Sequence, residues 1–255
     1  MGLQTIGDVT VDTVAEYVAA LEIHRAPHNY FDVALIDDLV RACEQLADTD
    51  CRAVVLCSEG RNFCAGANFA TGGPGDFRKL YERACLLFEQ PLPIVAAVQG
   101  AAIGGGLGLT LAADFRVACT RSRFSANFAL LGFHHGFGMS ESLPHVIGSQ
   151  RAAELLYTGA RIGGARAFEI GLCDRLVDDE AQLRVTAIEL ASAIAAAAPL
   201  AVRSIRQTLR GPLAARVRNA VERESAEQTR LSGTADWQEG LRASSERRPA
   251  RFQGR

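Results

Sequence analysis

The sequence predicts an α/β protein in which residues 1–178 form a strand-and-helix core and residues 179–255 a helical C-terminal segment. Three observations carry this. Charge-free runs such as AVVLC and IVAAV have the length of buried strands. Stretches with apolar residues at three- and four-residue spacing lie between them and read as amphipathic helices. Beyond Asp178 the composition shifts to Ala, Arg and Glu with helical period throughout.

Taken in order, residues 18–24 (VAALEIH) read as a strand and 31–46 (FDVALIDDLVRACEQL) as a helix ending before the turn formers Asp48 and Asp50. Residues 52–57 (RAVVLC) form a buried strand. Residues 58–75 hold five glycines among polar residues and read as a long loop, a length that in compact domains points to function. A helix over 77–89, a buried strand over 94–98, a glycine-opened helix over 104–112 and a strand over 115–118 follow. After a boundary at 178–180 come helices over 180–197, 200–209 and 213–231, and a short amphipathic piece at 237–241. The final SERRPARFQGR reads as a basic, flexible tail. Too few residues remain after the boundary for a core of their own, so these helices are expected to pack on the first region or on another subunit.

At 255 residues, 48% apolar and 22% charged, the chain can bury a sizeable core, which excludes disorder, collagen-like repetition and a disulfide mini-protein. A net charge of −2 gives no overall field towards nucleic acid or an anionic membrane, and the arginine-rich tail comes with no RNA-binding aromatic motif. Any anionic ligand must therefore be met locally, and almost without lysine, since Lys79 is the only one among 27 basic side chains. The seven cysteines form no CxxC pair and no Cys/His cluster at zinc spacing, so no metal is expected, and reduced, mostly buried thiols in a cytoplasmic protein are. The opening MGLQTIGDVTVDTV lacks the pattern of a secretory or transit signal. Residues 91–113 carry no charge over 23 residues, but two prolines, Gln99 and five glycines favour a buried strand, turn and helix over a membrane span.

Two glycine segments could carry chemistry. Gly104, Gly105 and Gly106 follow a strand and open a helix, where free N–H groups and the positive helix end would face an anion. Close helix packing is the competing explanation. Leu109 breaks the G-x-G-x-x-G spacing and no phosphate-loop motif occurs, so dinucleotide and nucleotide binding are weak readings. Ser140 lies outside any G-x-S-x-G elbow.

The second segment, FCAGAN, precedes GAAIGGG and AADFRVA in that order, and the three together resemble the crotonase (enoyl-CoA hydratase/isomerase) superfamily over residues 9–245. The resemblance implies a ββα spiral with a helical C-terminal oligomerisation segment, an acyl-CoA ligand in fatty acid metabolism, no metal or redox cofactor beyond the coenzyme A of the thioester, and a homotrimer or homohexamer. It also implies an oxyanion hole formed by the backbone N–H groups of Ala67 and Gly105. Arg25, His28 and Ala65 match segments that in relatives pass near the adenine and pantetheine of coenzyme A.

The departures bear most on function. The resemblance implies one glutamate three residues after the middle glycine and another twenty residues later, where this chain has Gly108 and Phe128. Neither can exchange a proton, so two-carboxylate hydration lacks its acid and base. His135 falls where decarboxylating relatives carry a tyrosine, and is the expected proton-transfer group, with Glu141 to orient it. His134 is its rival, and His28 and Asn127 are lesser polar candidates. Phe128, Phe133 and Phe137 suggest an apolar acyl pocket. The expectation is an atypical lyase or isomerase; the alternative is a non-catalytic acyl-CoA binding protein.

Overall fold

The structure is a computed structural model and describes residues 3–69 and 76–255. Residues 70–75 of the expected long loop lie outside the described residues. The strands are β1 (Gln4–Ile6), β2 (Val9–Ala15), β3 (Val18–Ile23), β4 (Ala53–Ser58), β5 (Ile94–Val98), β6 (Ala101–Ile103), β7 (Phe115–Cys119), β8 (Arg123–Ser125), β9 (Arg161–Gly163) and β10 (Arg175–Val177). The helices are α1 (Val33–Ala47), α2 (Phe77–Phe88), α3 (Gly105–Ala112), α4 (Met139–Ile147), α5 (Ser149–Thr158), α6 (Gly164–Glu169), α7 (Ala181–Ala195), α8 (Pro199–Ser232) and α9 (Ala235–Glu246).

Seven strands form one sheet in the order β1-β2-β3-β4-β5-β7-β10, and β6-β8-β9 form a second. The units β5-β6-α3 and β7-β8-α4 thus each send one strand to each sheet, the ββα spiral expected from the sequence. Within the large sheet the pairing from β3 through β10 is parallel, and its central strands are covered on both faces. Alternation along them sorts the two cores. Val54, Leu56, Ala96 and Val98 face the large core beneath α1, α2 and α3, whereas Val55, Cys57, Val95 and Ala97 face α7. Helix α7 meets them with Leu183, Ala187, Ala191 and Ala195, a stripe of four-residue spacing made of small side chains that lets it lie close on the sheet. All seven cysteines are buried and unbridged.

Two expectations are corrected and one element is added. The helices expected over 200–209 and 213–231 are one helix, α8, which continues through Pro212. Packing outweighs the cost of the proline's missing N–H: α8 lies along α2 and α4, and its Arg206 and Arg210 reach the partly buried Asp114 at 3.0 and 3.4 Å. The tail is not free. Its N–H groups at Gln253 and Gly254 each donate to the Asp236 carboxylate at 2.7 Å, which folds it back on α9. The N-terminal hairpin β1-β2, unassigned from the sequence, extends the large sheet through antiparallel β2-β3 pairing. Among the described residues no single helix is long and apolar enough to cross a membrane.

Candidate active site

Two turns, brought together by backbone pairing, form the site. In the first, the N–H of Phe63 donates to Gln99 O, that of Cys64 to Ala101 O, and Ile103 N–H returns to Cys64 O at 3.0 Å. The segment thus runs as an extra strand beside β6, bridged at Cys64 and Ala102. Only glycine allows this approach at position 106, where a Cβ would overlap the Cys64 carbonyl oxygen. Each turn then places a left-handed glycine immediately before the candidate donor, Gly66 (φ +92°) before Ala67 and Gly104 (φ +56°) before Gly105.

Gly105 opens α3, so its N–H has no acceptor within the helix. Among the described residues no acceptor meets the N–H of Ala67 or of Gly105. Both residues line a cavity of about 520 Å³, together with Ala65, Asn127 and an aromatic wall that includes Phe77, Tyr81, Phe128 and Phe133. Two unmet donors, one at a helix N-terminus, facing an apolar-walled cavity suit a developing thioester oxyanion.

The positions where the resemblance implies glutamates are filled with hydrocarbon. A Cβ on Gly108 would come within 2.5 Å of Phe137 Cβ, and Phe137 is fully buried against Phe31 and Phe88 at ring distances of 5.9 and 6.5 Å. Phe128 is buried against Phe133, 5.5 Å between ring centres. Of the three phenylalanines expected in the acyl pocket, Phe128 and Phe133 line the cavity, while Phe137 lies behind it in the core.

His135 is not among the described cavity-lining residues. Its Nε2 shares a 2.8 Å hydrogen bond with Ser140 Oγ and lies 3.8 Å from the Glu224 carboxylate, while its ring stacks on His134 at 4.1 Å. Burial, aided by His134, lowers its pKa to about 3, so the imidazole is neutral and too weak a base for proton abstraction near neutral pH. Glu224 is buried, accepts hydrogen bonds from the N–H groups of Gly138 and Ser140 at 2.7 and 2.9 Å, and has its pKa raised by that burial. It therefore pins the loop that carries Phe137. Glu141, expected to orient His135, instead pairs with Arg216 at 3.0 Å on the surface.

Arg25 is paired with Asp8 at 2.6 Å and with Asp32 at 2.8 Å. His28 lines a neighbouring cleft with Arg61, Arg121 and Arg123, and its ring lies 5.1 Å from that of Tyr30, which lines the main cavity. The sequence reading missed the contribution of α9, whose Leu241, Arg242, Ser244 and Ser245 line the cavity. No local signal marks them, because α9 arrives from more than a hundred residues away along the chain.

A phenylalanine-walled cavity with two unmet N–H donors on a ββα spiral defines a class of acyl-thioester-binding proteins, and comparison with known proteins agrees. The enoyl-CoA hydratase/isomerase family model matches residues 13–255. A Bacillus subtilis (strain 168) protein named "Probable enoyl-CoA hydratase" is 31% identical over 250 residues, covering 94% of this chain and 97% of its own. The solved enoyl-CoA hydratase/isomerase of Pseudoalteromonas atlantica T6c superposes with a TM-score of 0.86 at 26% identity, over 96% of this chain and all of that one. A solved methylmalonyl-CoA decarboxylase superposes at 0.84 with 25% identity, over 99% of this chain and all of its own. The chain belongs to the enoyl-CoA hydratase/isomerase (crotonase) family.

Proposed function

We propose that the protein binds an acyl-CoA thioester, holds its carbonyl oxygen with the N–H groups of Ala67 and Gly105, and stabilises the enolate as an atypical lyase or isomerase. The observation that carries this is the pairing of two unmet donors with hydrocarbon at both positions where the resemblance implies carboxylates, since Gly108 packs on Phe137 and Phe128 on Phe133. Two such donors would each lower the barrier by about 2.7–4 kcal/mol. Hydration needs an acid and a base beside the acyl chain, and the ionisable side chains among the described lining residues are only Tyr30, Tyr81 and Arg242. Burial raises the Tyr81 pKa further, which makes it no base at neutral pH.

Enolate formation without a base favours lyase chemistry. In the decarboxylation of an α-carboxyacyl thioester the Cα–carboxylate bond breaks, its electron pair becomes the enolate, carbon dioxide leaves, and water protonates Cα while its hydroxide takes up the carbon dioxide as bicarbonate. The likeness to a methylmalonyl-CoA decarboxylase supports this branch. A non-catalytic acyl-CoA binding protein is the second reading, favoured by the same shortage of titrating groups. Assembly as a homotrimer or homohexamer through the C-terminal helices belongs to the proposal, and the exposed Leu200, Ile205 and Leu209 of α8 support it.

A panel of acyl-CoAs followed by mass spectrometry for product and by thermal shift for binding tests the proposal. A mass change with loss of carbon dioxide supports the lyase. Stabilisation without product supports the binding protein, and neither response to any thioester overturns both.

A further inference from the structure

Arg242 is the only charged side chain among the described residues lining the cavity. It sits on α9 beside Leu241 and three residues before Ser245, both of which also line the space. Helix α9 carries three carboxylates that could neutralise it: Asp236, Glu239 and Glu246. The folded-back tail occupies all three. Arg248 takes both Glu239 oxygens at 2.6 and 2.9 Å, and the Arg251 N–H donates to the same group at 2.9 Å. Glu246 holds the Arg248 Nε at 2.5 Å, and Asp236 accepts from the Gln253 and Gly254 N–H groups. Among the described residues Arg242 makes no hydrogen bond or ion pair; Glu239, with which it shares a neighbouring cleft, reaches it only through space, and Arg242 is the one charged group on the described cavity wall.

We infer that Arg242 binds a carboxylate on the acyl group, so that the ligands of this site are coenzyme A thioesters of dicarboxylic acids. This rests on the acyl-CoA reading above and narrows it. A guanidinium matches a carboxylate through two parallel N–H donors, and the hydroxyls of Ser244 and Ser245 add donors on the same wall. Because Arg242 is exposed, water and salt moderate the gain. The tail contributes indirectly, by engaging both Glu239 oxygens so that this carboxylate makes no ion pair with Arg242.

The test measures dissociation constants of malonyl-, succinyl-, glutaryl- and butyryl-CoA and of free coenzyme A by titration calorimetry, using the full chain at low and high salt. At least one dicarboxylic thioester is expected to bind roughly tenfold more tightly than butyryl-CoA, with the margin shrinking as salt is added. Arg242→Met removes the margin while affinity for butyryl-CoA and coenzyme A stays the same, and Arg242→Lys keeps part of it. Arg248→Ala, which frees Glu239 to pair with Arg242, also narrows it. Equal binding of all four thioesters, or a margin unchanged in Arg242→Met, overturns the inference. So does an equal loss of coenzyme A affinity in that variant, which would assign Arg242 to a phosphate. If neither the thioesters nor coenzyme A bind, the acyl-CoA reading itself fails, a result distinct from uniform binding.

Discussion

Gly108 and Phe137 occupy one volume between them: the backbone of α3 at residue 108 lies so near Phe137 that a single added carbon would sit 2.5 Å from its Cβ. Phe137 holds this place with φ at +62°, on a loop gripped by Glu224 through the N–H groups of Gly138 and Ser140. Such a φ costs a non-glycine residue energy that the surrounding contacts must offset. The position where the resemblance implies a carboxylate is thus packed shut from behind.

This contact predicts a measurable coupling. Gly108→Ala should destabilise the protein by about 1–3 kcal/mol through overpacking. In a Phe137→Gly background the same change should cost at least about 1 kcal/mol less, because both the Cβ and the ring it meets are gone. Urea denaturation of the four proteins reads the cycle, and equal costs in the two backgrounds would show that the residues do not compete for space.

Crotonyl-CoA hydration should be slow. Each missing acid–base group is worth about 10²–10⁴-fold, so turnover, followed as loss of the enoyl-thioester absorbance, should fall several orders of magnitude below that of a two-glutamate enzyme. A rate within tenfold of such an enzyme would mean that another group supplies the proton transfer.

The buried His135 predicts a pH dependence of stability. Its folded pKa of about 3 lies below the unfolded value of roughly 6.5, so between these pH values the unfolded chain binds a proton that the native state refuses. Stability from this group is complete above pH 6.5 and falls as the pH drops, by about 2 kcal/mol at pH 5. Glu224, facing His135 at 3.8 Å, has a raised pKa and contributes with the opposite sign, losing stability as the pH rises above the usual carboxylate range. His134, stacked on the ring, adds the same trend as burial. His135→Gln should therefore flatten the difference in urea midpoint between pH 5 and pH 7.5, and an unchanged difference would place the titrating group elsewhere.

Much of this site could be read from sequence because its donors are backbone groups. Glycines at 66, 104, 105 and 106 are needed for left-handed turns and close approach, and such needs leave a mark on residue type whatever the rest of the chain does. The missing carboxylates were equally visible, since no glutamate can hide in a segment that has none. Side-chain direction was not. His135 and Glu141 sit near the site in sequence, yet one turns towards Ser140 and Glu224 and the other towards Arg216, partners on α4 and α8 fixed only by how the C-terminal helices return. The wall supplied by α9 and the unbroken course of α8 past Pro212 share that origin, in tertiary packing that local propensity does not encode.

The most direct measurement is the infrared band of the thioester carbonyl of butyryl-CoA, isolated by ¹³C labelling of that carbon, free and bound to the protein. If the N–H groups of Ala67 and Gly105 both donate to the oxygen, they polarise the bond and the band moves below its frequency in water. A bound carbonyl at or above the water frequency would mean that the two donors do not hold it, and would contradict the assignment of an oxyanion hole.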